Sequence, residues 1–321
     1  MKHDIIHQIT VPTPFPVGDV HIYLLEGDSL TLVDAGVKTK PAWEAFLYQL
    51  GQLGYQAKDV EQIILTHHHP DHTGFTDQFP RLTSIYGHKR NRVWLNRDET
   101  YFERYESFFA LLYRQSGVPD KYNSFLRRLR DPLKVAGKGE LTGALKEGDV
   151  IPGHQDFSVL ETPGHAQSHL SFFRKSDKSF IGGDLLLKHI SSNPLLEPPD
   201  SFEMDRPKPL LQYRESMNRC RKLGIKTVYP GHGPVFDGVQ DLIDLRLEKQ
   251  EHRAQKVLDF MVGSEYTVYQ VCEKLFPNHI EKEFGLTMSE TIGQLDFLEE
   301  MKRIEKRMIN GIWLYTNTEF D

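Results

Sequence analysis

The segment Thr66-His67-His68-His69-Pro70-Asp71-His72 constrains this chain more than any other, because four imidazoles and one carboxylate fall within six residues. It follows directly on the β-branched run 62–66 (QIILT), which reads as a strand. A loop leaving a strand can turn several side chains towards one point. Imidazole nitrogens and carboxylate oxygens are the donors that zinc and related divalent ions prefer. The cluster therefore points to a metal site; the bland alternative is a solvated histidine-rich loop.

The surrounding pattern frames this loop. Short runs at 21–26 and 30–33 also read as strands, and residues 41–53 carry apolar positions at helical spacing. A second set of strands is predicted at 157–161, 170–173, 180–181 and 227–229, with an amphipathic helix over 210–223. Two β-rich halves with helices between them predict a layered α/β sandwich.

Three further motifs each follow one of these strands: Thr162-Pro163-Gly164-His165, Gly182-Gly183-Asp184 and Pro230-Gly231-His232-Gly233. Together with His67, His69, Asp71 and His72 in the pattern His-x-His-x-Asp-His, the ordered set resembles the metallo-β-lactamase superfamily over about residues 10–240. The resemblance implies a four-layered αββα sandwich. It places His67, His69 and His165 on a first metal ion and Asp71, His72 and His232 on a second, with Asp184 bridging. It implies two divalent ions, zinc first among them and iron or manganese as alternatives, which yield a hydroxide near neutral pH. Asp71 is then the orienting group or proton shuttle for the attacking water.

In the same pattern Asp34, within Val33-Asp34-Ala35-Gly36, supports the ligand loop from behind by fixing a histidine's tautomer. His68 is expected to point away from the metals. His169 and His189 sit close to the motifs, either facing substrate or satisfied as structural groups. The histidine at position 69 argues against flavodiiron relatives, which carry Glu there. Persulfide dioxygenases, with one iron on two histidines and an aspartate, stay open.

Composition narrows the class. Across 321 residues the net charge is −6, which argues against nonspecific nucleic-acid affinity of the whole chain. No apolar stretch approaches the roughly 20 residues of a membrane helix. The opening MKHDIIHQIT lacks an apolar core and a small-residue cleavage site, so a cytoplasmic enzyme is expected. Cys220 and Cys272 stand outside any C-x-x-C pattern and read as packing residues.

Residues 88–134 look like an insertion, with helices near 101–115 and 122–129, and with eleven basic against six acidic residues. Aromatics such as Trp94, Tyr101, Phe109 and Tyr122 are interleaved with the charges. A mobile cover over the metals, binding an anionic small molecule or single-stranded RNA, would use such a surface; a helical pair with its aromatics packed inward would carry the same residues. From Val239 a long helix leads to helices over 267–275 and 289–301 and a hairpin over 304–315 turning at Asn310-Gly311, the outline of a winged helix. The division expected is a catalytic domain over 1–240 and a linker helix with a winged-helix-like domain over 241–321.

That C-terminal unit resembles the one appended to a lactamase-β-like, glyoxalase II-like subgroup, which includes endoribonucleases. Its would-be recognition helix carries Glu290, Asp296, Glu299 and Glu300 before Lys302 and Arg303, which predicts packing, cleft shaping or a homodimer contact rather than phosphate binding. The leading functional expectation is hydrolysis of an ester or thioester by a metal-activated hydroxide. The runner-up is an endoribonuclease for single-stranded RNA with the same centre. A persulfide dioxygenase, or a winged-helix adaptor with a structural metal, comes after; the full ligand set counts against the adaptor, since structural zinc is normally four-coordinate and closed.

Overall fold

In the computed structural model, which describes residues 4–82, 84–201 and 203–318, the β-branched runs of the first third pair into a six-stranded sheet. Its order is β1 (Ile5–Val11), β2 (Val20–Glu26), β3 (Leu30–Val33), β4 (Gln62–Ile64), β5 (Ser84–Gly87) and β6 (Gly143–Ala144). Neighbours are antiparallel from β1 to β3 and parallel from β3 to β6. A parallel step needs a crossover, and α1 (Lys40–Gln52) supplies it between β3 and β4. Thr39 caps α1 by accepting the Ala42 N–H, with Pro41 in the first turn.

A second, five-stranded sheet is built from β7 (Val150–Ile151), β8 (His154–Glu161), β9 (Leu170–Arg174), β10 (Ser179–Gly183) and β11 (Thr227–Pro230), in spatial order β11-β10-β9-β8-β7. Side chains alternate faces along a strand, and both faces of the first sheet are used. Tyr23, Leu25, Val33 and Ile64 pack with Phe157, Val159, Phe172 and Ile181 of the second sheet. The alternate residues Ile22, Leu24, Leu32 and Ile63 pack with Ala42, Phe46 and Leu50 of α1. Double burial explains why β2 reads as a nearly continuous apolar run rather than an alternating one.

The chain divides into two compact units. The first holds residues up to Asp98 together with 131–192 and 216–240; the second holds 99–130, 193–215 and the chain from Asp241 on. Within the first lie both large sheets, α1, and the short helices α2 (Pro70–Thr73) and α3 (Asn91–Leu95). The second holds α4 (Glu99–Gln115), α5 (Asn123–Leu126), the start of α6 (Pro209–Arg221), most of α7 (Val239–Met261), α8 (Val268–Leu275) and α9 (Phe284–Glu300). A three-stranded sheet completes it, ordered β12 (Tyr266–Thr267), β14 (Ile312–Asn317), β13 (Ile304–Ile309).

Most of the segment that reads as an insertion thus belongs with C-terminal residues. Phe102, Phe109 and Tyr113 recur at helical spacing on α4 and are buried, and the last two share a core with Tyr122, Leu258, Phe284 and Met288. These aromatics pack inward, which is one of the two readings of that segment. Among the described residues no helix is long and apolar enough to cross a membrane. Cys220 and Cys272 are buried free thiols, and burial pushes the Cys220 thiol up to about 12.

Candidate metal centre

The motifs lie at strand ends of the first unit. Thr66 to His72 follow β4 and run into α2, Thr162 to His165 follow β8, Gly183 closes β10 beside Asp184, and Pro230 closes β11 before His232. Their side chains converge. Donor atoms of His67, His69 and His165 lie within 4.8 Å of one another, as do those of His67, His72 and Asp184, and those of Asp71, His72 and His232. All seven residues of the expected set are therefore brought together.

Hydrogen bonds fix where the ring protons sit. The Thr66 hydroxyl lies 2.8 Å from Asp34 Oδ2 and donates to that carboxylate, so Thr66 Oγ1 accepts from His67 Nδ1 at 2.9 Å. His72 Nδ1 donates to Asp34 Oδ2 at 2.7 Å, and His232 Nδ1 donates to the Asp19 carbonyl at 2.7 Å. In each ring the hydrogen-bonded Nδ1 faces outward, which turns Nε2 inward. His67 Nε2 and His165 Nε2 both stand 2.9 Å from His69 Nδ1, while Ser192 Oγ holds the far side of His165 at 2.8 Å.

These residues fit a cation. His72 Nε2, His232 Nε2 and Asp184 Oδ1 are buried without a hydrogen-bond partner. His72 Nε2 is 3.5 Å from Asp184 Oδ1, and His232 Nε2 is 3.3 Å from Asp71 Oδ2. Leaving such groups unsatisfied costs about 1–3 kcal/mol each, so three of them meeting at one place make a candidate cation site. Two glycines keep the space open. Gly183 has φ +49°, and a Cβ there would lie 2.8 Å from His169 Nε2; a Cβ on Gly231 would overlap Asp184 Oδ1.

The electrostatics divide the site in two. Burial, reinforced by the neighbouring rings, holds His67 and His69 well below the ordinary imidazole range. Burial pulls His72 the same way, but the carboxylates of Asp34, Asp184 and Asp71 outweigh it and hold this ring well above that range. Burial raises Asp184, yet His232 and His72 hold its carboxyl well below the usual range. One side refuses protons and offers lone pairs; the other attracts positive charge.

The remaining candidates take distinct places. Asp34, held at φ +65°, sits behind His72 and Thr66 as expected. His68 stacks on Trp94, with ring centroids 4.1 Å apart, and its Nδ1 is hydrogen-bonded to Ser168 Oγ at 2.8 Å. It stands outside the three donor clusters. His169 is buried and hydrogen-bonded to Thr162 and to the Asp184 N–H, whereas His189 is exposed against Gly233. Thr66, Ser192 and the Asp19 carbonyl escape the sequence reading. Thr66 alone has a visible signal, since it stands directly before the histidine run.

The family model described as "Metallo-beta-lactamase superfamily" matches residues 15–232. The chain belongs to that superfamily, and by class it is a metallo-hydrolase. It is similar to Probable metallo-hydrolase YqjP of Bacillus subtilis (strain 168), with 42% identity over 296 residues that span 92% of each chain. It is 22% identical over 250 residues to an Atrochrysone carboxyl ACP thioesterase of Aspergillus fumigatus, covering 77% of this chain and 61% of that protein. Among solved structures, a metallo-beta-lactamase family protein from Thermus thermophilus matches with a TM-score of 0.80 at 25% identity, over 97% of this chain and 98% of that one.

Proposed function

We propose that the chain hydrolyses a small-molecule ester or thioester at a dinuclear metal centre. The observation that carries this reading is the orphaned set His72 Nε2, His232 Nε2 and Asp184 Oδ1 beside the convergent nitrogens of His67, His69 and His165. His67, His69 and His165 would hold one ion and Asp71, His72 and His232 the other, with Asp184 between them. Bound there, divalent ions, zinc by the donor set with iron or manganese as alternatives, would supply a water activated near neutral pH and Lewis acidity towards the substrate carbonyl.

The chain's own groups do the rest. A carboxylate oxygen of Asp71 takes the proton of the attacking water and returns it to the leaving group. Asp34 and Thr66 hold His72 and His67 in the tautomers that face inward, so the donors need no rearrangement when substrate arrives.

The thioesterase relative supports a thioester, at a likeness that reaches only part of its length. The RNA reading is weakened by the fate of the basic segment: Phe109 and Tyr113 are buried in a core, and Arg130 is paired with Glu99 and Glu106. In the C-terminal unit, the order helix, helix, hairpin supports a winged-helix-like organisation. There α9 directs Glu290 to Arg253 and Asp296 to Arg206, as internal ion pairs.

A panel of acyl-thioesters, acyl esters, phosphodiester dyes and labelled single-stranded RNA, offered to the metal-loaded protein, tests this. Thioester or ester turnover should vanish on chelation and fall by about 10²–10⁴-fold in kcat for a folded Asp71→Ala. Equal turnover by Asp71→Ala and parent would refute the mechanism. RNA cleavage without ester turnover would move the assignment to the endoribonuclease.

A further inference from the structure

We infer that His169 is a positioning residue, which sets Asp184 for metal binding through a buried hydrogen-bond chain of fixed direction; the inference rests on the metal centre proposed above. The Asp184 backbone N–H donates to His169 Nε2 at 3.1 Å. That nitrogen therefore carries the lone pair, and the ring proton resides on Nδ1. Nδ1 lies 2.8 Å from Thr162 Oγ1, which lies 2.8 Å from Ser171 Oγ, and Ser171 Oγ donates to the Gly182 carbonyl at 3.4 Å. Because Ser171 gives its proton to Gly182, it accepts from Thr162, and Thr162 accepts from His169. Every proton in the chain has one direction.

The chain starts and ends on a single turn. It grips Asp184 by its N–H and Gly182 by its carbonyl, on either side of Gly183. Thr162 N also donates to the His169 carbonyl at 3.0 Å, and Gly231 N donates to the Gly183 carbonyl at 2.8 Å, which ties the loop bearing His232 to the same turn. Thr162, His169 and Ser171 are no more than 1% exposed, so no solvent can replace a broken link. Gly183 leaves no slack, since even a Cβ would meet His169 Nε2 at 2.8 Å. With one nitrogen committed to a backbone N–H and the other protonated, His169 has no lone pair to offer a metal. It acts through Asp184.

Titrating Co²⁺ into the metal-stripped full-length protein, followed by visible absorbance, tests this in the parent, His169→Leu, His169→Gln and Thr162→Val. The parent should bind two equivalents. His169→Leu should weaken binding by about 10- to 100-fold, the usual effect of removing a partner that orients a ligand. His169→Gln, which can accept at Oε1 and donate at Nε2, should recover most of that loss. Thr162→Val, close in shape, should fold with a metal-free Tm lowered by the buried donor it leaves unpaired, and should show a smaller loss of Co²⁺ affinity than His169→Leu. A merely structural role would lower the metal-free Tm and leave Co²⁺ affinity unchanged. Parental affinity in Thr162→Val and in whichever His169 variants fold would overturn the positioning role alone. A folded parent that takes up no Co²⁺ would overturn the metal centre and this inference with it.

Discussion

Asp34 shows how one carboxylate organises the histidine-rich loop. It accepts from the Thr66 N–H, the Thr66 hydroxyl and His72 Nδ1, and so sets two of the converging rings at once. Asn tolerates the left-handed backbone at this position, but its amide accepts at one oxygen only, so either Thr66 or His72 loses its anchor. Asp34→Asn should therefore weaken metal binding by about 10- to 100-fold, measured by competition with a chromophoric chelator. Unchanged affinity would contradict the tautomer argument. A second residue-scale effect lies on the β9–β10 turn. Burial raises the Asp177 carboxyl, but hydrogen bonds from Arg174 and Ser179 outweigh it and hold it at about 2. The folded value lies below the unfolded one near 4, so this contribution is complete above pH 4 and is lost as pH falls towards 2. Urea unfolding at pH 7 and pH 3 should show a smaller acid loss for Asp177→Asn than for the parent; an equal loss would contradict it. At this scale the sequence was informative where donors stand in a motif. His67, His69, Asp71 and His72 announce themselves by crowding, whereas the Asp19 carbonyl behind His232 is backbone and has no signature. His169 carried only proximity to His165, which leaves a lone histidine's role open.

Elements were legible when their periodicity was long and one-sided. The helix expected over 41–53 is α1, the one starting at Val239 is α7, and the Asn310-Gly311 turn joins β13 to β14 with both residues at positive φ. The helix expected over 289–301 begins earlier, at Phe284. Its residues from Phe284 to Leu298 are mostly buried whatever face they occupy, so there is no polar side to mark the period. α3 and the two-residue β6 are too short for periodicity to register, and tertiary pairing makes them. A local signal does survive at the start of α8. Thr267 accepts the Gln270 N–H while the Gln270 side chain accepts the Thr267 N–H, forming a capping box. Thr267→Ala should cost about 1 kcal/mol in denaturant unfolding, with no change in metal affinity; a variant as stable as the parent would show that tertiary packing alone sets this end.

The whole molecule was harder to read than its parts. A chain read in order suggests a boundary near residue 240, but the second unit is assembled from 99–130, 193–215 and the C-terminal residues, and contacts between distant segments leave no trace in local composition. The family match ends at residue 232, while the likeness to the Thermus thermophilus structure covers 97% of the chain, so the shared architecture extends well past the metal motifs. The candidate donors follow strands of both large sheets, which is why they are spread from His67 to His232. Metal occupancy there can be observed directly. Crystals of the protein soaked in Zn²⁺ and measured at the zinc absorption edge should give two anomalous peaks about 3.5–4 Å apart, one against His67, His69 and His165 and the other against Asp71, His72 and His232, with Asp184 reaching both. Absence of any peak at these side chains, or zinc bound only elsewhere on the chain, would contradict the dinuclear centre.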